Sequence, residues 1–130
     1  MAGKHVLLCL CLAILSGCGS SGDTTLERDI QHGTAQIQSV HDRKALQAKL
    51  TALVAKLRHD DAGSQSARRA RALAIRGFEA KLTSVKAERE FYENDSGQVA
   101  EATVDAARAD KYKKRADELL RAAQQAIGGD

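Results

Sequence analysis

Apolar residues change their spacing along this chain, and the change separates two regions. Near the amino terminus they form an unbroken run of ten residues, from Val6 to Leu15. From Leu26 onward they recur mainly at intervals of three or four residues. That spacing places side chains on one face of an α-helix. The pattern predicts a short apolar leader followed by an all-α domain.

The first predicted helix covers residues 24–59, and its apolar residues form two stripes that do not line up. It begins at Thr24, which forms a capping-box pattern with Glu27. The first stripe contains Leu26, Ile30, Ile37 and Val40, and the second contains Leu46, Leu50, Leu53 and Leu57. The stripes differ in phase by about a third of a turn, with the slip at residues 41–44. Either the helix is kinked there or its halves face different neighbours.

Two polar segments that contain glycine divide the rest of the chain. They are residues 60–64 and 94–97, and Ser64 or Ser66 is available to cap the helix after the first of them. Two further helices are therefore expected, over residues 65–93 and 96–127. Three helices joined by short turns predict an antiparallel three-helix bundle, because a long oligomeric coiled coil would not tolerate two such breaks.

The last predicted helix has the most regular apolar seam. The seam consists of Val99, Ala102, Ala106, Ala109, Lys113, Ala116, Leu120, Ala123 and Ile127. Because five of these nine residues are alanine, the packing should be Ala-rich and coiled-coil-like, with closely spaced helix axes. In the helix before it, Arg71 and Arg89 occupy seam positions, where their stems can cover the edge of the core.

The composition agrees with an all-α core and gives no sign of a nucleic-acid binder. Aromatic residues make up 3% of the chain and proline is absent, so the core must be built from Leu, Ile, Val and Ala in helices. Lys and Arg number 20 against 17 Asp and Glu. This balance lacks the strong positive field of a dedicated nucleic-acid binder. A length of 130 residues fits one domain.

Residues 1–17 have the parts of an export signal in the usual order. A basic start with Lys4 and His5 precedes the apolar run, and the small pair Ser16 and Gly17 follows it. Ten apolar residues are half of the roughly 20 that a membrane-spanning helix needs. The leader is therefore predicted to be a signal peptide rather than a permanent anchor.

The end of this leader, Leu15-Ser16-Gly17-Cys18, resembles the lipobox of bacterial lipoprotein precursors. The resemblance implies that Cys18 receives lipid, including fatty acids such as palmitate, and becomes the first residue of the mature protein. Residues 18–23 would then form the lipidated cysteine and a flexible tether. The alternatives are an ordinary cleaved signal peptide, in which Cys18 is incidental, and an uncleaved anchor.

The resemblance also implies a location in the cell envelope. The residue after Cys18 is Gly19 rather than Asp, and this resembles the pattern that is sorted to the outer membrane. The protein would face the periplasm from that membrane in a Gram-negative host, and otherwise lie on the outer face of the cytoplasmic membrane. Cys9 and Cys11 would be removed with the leader, so no disulfide is expected.

No catalytic or metal-binding motif is recognisable, and we expect neither enzyme activity nor a cofactor. The histidines after the leader, His32, His41 and His59, lack the short spacings of metal ligands. Carboxylates follow His41 and His59 in the sequence, but neighbouring residues on a helix point apart.

Two basic clusters and one aromatic turn are the candidate interaction sites. The first cluster contains Arg68, Arg69 and Arg71 with Arg76, and the second contains Lys111, Lys113, Lys114 and Arg115. Either cluster can meet lipid headgroups or anionic envelope polymers, or simply form a solvated face of mixed charge. The turn that begins at Phe91 and Tyr92 is the preferred contact for a protein partner, unless its aromatic residues only close the end of the bundle.

These features predict a non-enzymatic envelope lipoprotein whose bundle is a structural or protein-interaction module. The partners expected are a membrane, through the lipid, and an envelope protein. The alternative is a carrier or inhibitor that holds an amphiphile or a partner helix against the Leu46 to Leu57 face. Burial of that face in a closed bundle would remove the reason for this alternative.

Overall fold

A computed structural model describes residues 21–93 and 99–128, and within them every regular element is an α-helix. The helices are α1 (Ser21–Ser39), α2 (Arg43–His59), α3 (Gln65–Glu93) and α4 (Val99–Ile127). They pack against one another around a shared core, which confirms the predicted all-α fold. The predicted signal peptide, Cys18 and the turn at residues 94–97 lie outside the described residues.

The first predicted helix is two helices, so the described residues form four helices rather than three. The chain leaves α1 after Ser39 and enters α2 at Arg43, within the phase slip that the apolar pattern showed. Asp42 is the N-cap of α2 and begins the helix. Its backbone is extended, and its side-chain oxygen accepts a hydrogen bond from the Ala45 amide. The two apolar stripes therefore belong to separate helices that pack side by side.

α1 also begins earlier than predicted, at Ser21 rather than Thr24, so residues 21–23 belong to the helix and not to a tether. Asp23 explains the extension, because its carboxylate accepts hydrogen bonds from the amides of Gly63 (2.8 Å) and Ser64 (3.2 Å). These amides precede α3, whose own cap is the Ser64 hydroxyl, an acceptor for the Ala67 amide at 3.0 Å. The start of α1 is thus fastened to the start of α3.

α3 and α4 form the closest helix pair, and small residues on both make this possible. Buried small residues recur along α3 at intervals of three or four, with one interval of seven: Ala67, Ala70, Ala74, Gly77, Ser84 and Ala87. A methyl group on Gly77 would lie 2.8 Å from Leu120 Cγ, and the Ser84 hydroxyl donates to the Ala109 carbonyl at 2.9 Å. The Ala-rich packing predicted for the last helix therefore has a matching face on α3.

The predicted seam of α4 is wrong by one position in its first half. Ala109, Ala116 and Ala123 are buried as expected, but Ala106 and Lys113 are exposed. Asp105 is buried in place of Ala106, and its carboxylate lies 3.6 Å from Arg108. A seam through Asp105 and a seam through Ala106 both have spacings of three and four residues. Ala106 was predicted because it is apolar, and this prediction is wrong.

The larger apolar residues of α1, α2 and α3 fill the rest of the core. They include Leu26, Ile30, Leu46, Leu50, Val54, Leu57, Phe78 and Val85. α1 packs against all three other helices, whereas α2 and α4 do not pack against each other within the described residues. Gly33 allows α1 to pack closely against α2 and α3. A methyl group added at Gly33 would collide with Leu53 of α2 and lie 2.7 Å from Cζ of Phe78 in α3. Among the described helices, none has the length and apolar character that crossing a bilayer requires.

Candidate functional site

A groove near one end of the bundle brings together two of the predicted interaction residues, Tyr92 and Lys113. Its walls are the first residue of α2, the last turns of α3 and the middle of α4. The lining residues are Arg43, Glu88, Phe91, Tyr92, Ala106, Ala109, Asp110 and Lys113. The groove has a volume of ≈ 320 Å³, which suits a few side chains of a partner or a small ligand.

The groove lies where α1 no longer covers the core. α1 packs against α2, α3 and α4, and the groove has the same three helices as its walls. Because α1 ends at Ser39, no residue of α1 is among those that line it. Ala106 was predicted to lie in the buried seam, but Asp105 takes that position, and the exposed Ala106 lines the groove with a small side chain. The groove therefore lies where α1 has ended and α2 begins.

Tyr92 is held in a fixed position yet remains open to solvent. The guanidinium carbon of Arg43 lies 4.4 Å from the centre of the Tyr92 ring, within cation–π range. The Phe91 ring meets Tyr92 edge to face, with ring centres 5.0 Å apart. Tyr92 nevertheless keeps 65% of its surface exposed. A positioned, exposed aromatic ring is a typical anchor for a protein partner.

The acidic groups of the groove are already paired, whereas one of its basic groups is not. Glu88 accepts from Arg43 Nε at 3.0 Å, and Asp110 pairs with Lys114 at 3.0 Å. Lys113 is exposed and forms no ion pair within the described part of the chain. The Arg43–Glu88 pair is partly exposed and the Asp110–Lys114 pair is exposed, so both contribute little to stability. The groove therefore offers free hydrogen-bond donors more readily than acceptors.

The other predicted interaction residues do not join this groove. Arg68 donates to the carbonyl of Gly63 at 2.8 Å, and Arg71 donates to the carbonyl of Asp60. Both side chains thus support the turn between α2 and α3, at the other end of the bundle. Arg69 is exposed there, and Lys114 is engaged with Asp110. The six predicted residues are therefore divided between two ends and do not form one site.

Arg43 and a polar cluster were not identified from the sequence. In the cluster, Lys56 Nζ lies 2.6 Å and 2.7 Å from the two carboxylate oxygens of Asp29. Burial, a hydrogen bond with Asp29 and the charge of Asp29 raise the pKa of Asp60. The hydrogen bond with Asp29 raises the pKa of Lys56. The sequence offered one signal for this cluster: Asp29 directly precedes Ile30, a residue of the apolar stripe that is buried in the structure.

The described residues contain no group of three or more His, Cys, Asp and Glu side chains placed to hold a metal ion. His32, His41 and His59 are all exposed, on α1, on the segment before α2, and on α2. No family model matches this chain, and no curated protein or solved structure matches it significantly. Function is therefore inferred from the residues of this chain alone.

Proposed function

We propose that this protein is a membrane-anchored envelope lipoprotein, and that its helical bundle is a non-enzymatic protein-interaction module. The anchor would be the lipid on Cys18, whose place after Ser16 and Gly17 matches the lipobox pattern. A single acyl chain binds a membrane marginally, whereas two or three chains on one cysteine hold it firmly. The bundle would then need no membrane-spanning helix of its own.

The early start of α1 brings the bundle close to this anchor. Ser21 follows Cys18 by three residues, which reach roughly 10 Å when fully extended. Asp23 fastens this part of α1 to the amides of Gly63 and Ser64. The end of the bundle formed by these residues would therefore lie next to the membrane surface.

The observation that supports an interaction module is the groove with Tyr92 and Lys113. It lies near the end of α3, about 35–40 Å along the helix from the anchored end, at 1.5 Å per residue. Val104, the other large apolar residue with high exposure in the described chain, lies in the second turn of α4, near the same end. The exposed apolar surface is thus concentrated away from the anchor, where a partner protein can reach it.

The Leu46 to Leu57 face, on which the carrier alternative depends, is packed against the rest of the bundle. Leu46, Leu50 and Leu57 are at most 5% exposed and belong to the core. Leu53 is partly buried and packs against the same core. An amphiphile would have to displace α1 or α3 to reach this face, so the open groove is the better interaction site.

Metabolic labelling with an alkyne analogue of palmitate tests the anchor. We expect label on the wild-type protein and on Cys11→Ala, which loses a leader cysteine, and no label on Cys18→Ala. Label that persists in Cys18→Ala, or that never appears on the wild type, would contradict the lipoprotein assignment. The Cys11→Ala variant controls for an effect of cysteine removal on export.

A further inference from the structure

All charged residues of α2 are basic, which distinguishes it from the other helices. Its basic residues are Arg43, Lys44, Lys49, Lys56 and Arg58, followed by His59, and it contains no Asp or Glu. The sequences of α1, α3 and α4 all contain residues of both signs. A helix of this composition is typical of contact with an anionic surface.

The basic residues of α2 flank an exposed strip of alanine. Leu46, Leu50, Val54 and Leu57 face the core, and Ala45, Ala48, Ala52 and Ala55 lie opposite them and are exposed. At 100° per residue, Lys49 and Lys56 border the strip on one side, and Lys44 and Arg58 border it on the other. The ion pair of Lys56 with α1 and that of Arg58 with α3 agree with these two sides. The small side chains leave the lysine stems free to reach outward.

The charge of this face is only partly neutralised by the rest of the bundle. Lys56 pairs with Asp29 at 2.6 Å, and Arg58 pairs with Glu79 at 2.6 Å. Lys44 and Lys49 are exposed and have no ion pair among the described residues. A second copy of α2 would bring lysines against lysines without any carboxylate on either helix. Self-association through this face is therefore disfavoured, and an anionic partner is favoured.

We propose that the outward face of α2 rests on an anionic lipid surface, an inference that depends on the lipid anchor proposed for Cys18. α2 ends at His59, and a methyl group on Gly22 would lie 3.1 Å from Asp61 Cβ, so this end of α2 is next to the start of α1. The anchor therefore holds the α2 face within reach of phospholipid headgroups. Lysine ammonium groups near an anionic bilayer add to the attachment that acyl chains provide.

This contact would lay the bundle on its side with α4 directed away from the membrane. α4 does not pack against α2 within the described residues, and Ala107 is exposed on it. Ala52 is exposed in the middle of the alanine strip. Labels at these two positions therefore report opposite faces of the molecule.

The test uses the lipidated full-length mature protein in phosphatidylcholine vesicles with and without phosphatidylglycerol. Ala52→Cys or Ala107→Cys carries a fluorophore, and a headgroup spin label in the vesicles quenches it. We expect several-fold stronger quenching at residue 52 than at residue 107 with phosphatidylglycerol. The difference should vanish in phosphatidylcholine alone, in high salt, and in Lys44→Glu/Lys49→Glu. The matched control Lys111→Glu/Arg121→Glu, which reverses two exposed charges of α4, should retain it.

Three other outcomes would contradict different parts of the proposal: the lipid contact, the role of the lysines, and the anchor. Vesicles that carry the protein but quench both positions equally would overturn the lipid contact, and would leave an acidic partner protein as the occupant of this face. A difference that survives in Lys44→Glu/Lys49→Glu would overturn the role of the lysines. A wild-type chain that does not float with any vesicle would overturn the anchor, and with it this inference.

Discussion

Asp60 follows the last residue of α2, where its side chain is partly buried beside Asp29, and Lys56 and Arg71 lie nearby. Lys56 neutralises Asp29 directly, and the Arg71 guanidinium donates to the Asp60 carbonyl rather than to its carboxylate. The two carboxyl groups therefore share one close cationic partner. Burial and the proximity of Asp29 make the ionised form of Asp60 unfavourable, which is why its pKa is raised.

The raised pKa of Asp60 predicts a specific dependence of stability on pH. The group contributes stability that is fully present below its unfolded pKa of 3.8 and is lost as pH rises through the folded pKa. Asp60→Asn keeps the neutral form at all pH values. We expect this variant to unfold at a higher temperature than the wild type at pH 7, with the difference shrinking toward pH 4.

Thermal unfolding followed by circular dichroism between pH 4 and 8 measures this difference. Asp61→Asn is the matched control, because Asp61 is the exposed neighbour of Asp60. This substitution should change the midpoint of thermal unfolding little. An Asp60→Asn variant less stable than the wild type at pH 7 would show that the ionised carboxylate is favourable in the cluster.

The break between α1 and α2 is the main feature at the scale of elements. Asp42 accepts from the Ala45 amide and begins α2, whereas Thr24, the predicted first cap, lies inside α1. Loss of an N-cap side chain costs about 1 kcal/mol of stability. We expect Asp42→Ala to lower the free energy of unfolding by about this amount and Thr24→Ala to leave it nearly unchanged or to raise it slightly.

Urea denaturation of the two variants distinguishes the two helix boundaries. The structure predicts that only Asp42→Ala shifts the midpoint to lower urea concentration. Equal losses in both variants, or a loss confined to Thr24→Ala, would support the single long helix that the sequence suggested.

The spacing of apolar residues predicted the helical class and most of the core, because burial follows helical periodicity. The phase slip at residues 41–44 located the break between α1 and α2 but could not distinguish a kink from two helices. The register of α4 could not be predicted, because Asp105 and Ala106 fit the same spacing. Burial of Asp105 depends on the approach of α3 and on Arg108, and neither can be read from one helix.

At the scale of the whole molecule, the bundle has two different ends. One carries the start of α1, fastened by Asp23 to the start of α3, and lies three residues from Cys18. The other carries exposed Tyr92 and the groove. Tyr92 and Lys113 were each predicted from the sequence, but their meeting depends on the packing of α3 against α4. Arg43 joins them only because α2 runs antiparallel to α3, as the ion pairs of Arg43 with Glu88 and of Arg58 with Glu79 show together.

Site-specific photo-cross-linking in living cells tests the proposed interaction groove most directly. A photoreactive residue is placed at Ala106, which lines the groove, or at Ala107, its exposed neighbour outside the groove. We predict a discrete adduct with one protein from position 106, none from 107, and loss of the adduct when Tyr92→Ala and Lys113→Glu are added. Because both added positions are exposed, these substitutions should lower the midpoint of thermal unfolding only slightly, through the lost contacts of Tyr92 with Arg43 and Phe91. Equal adducts from both positions, or no adduct from position 106, would contradict an interaction module centred on this groove.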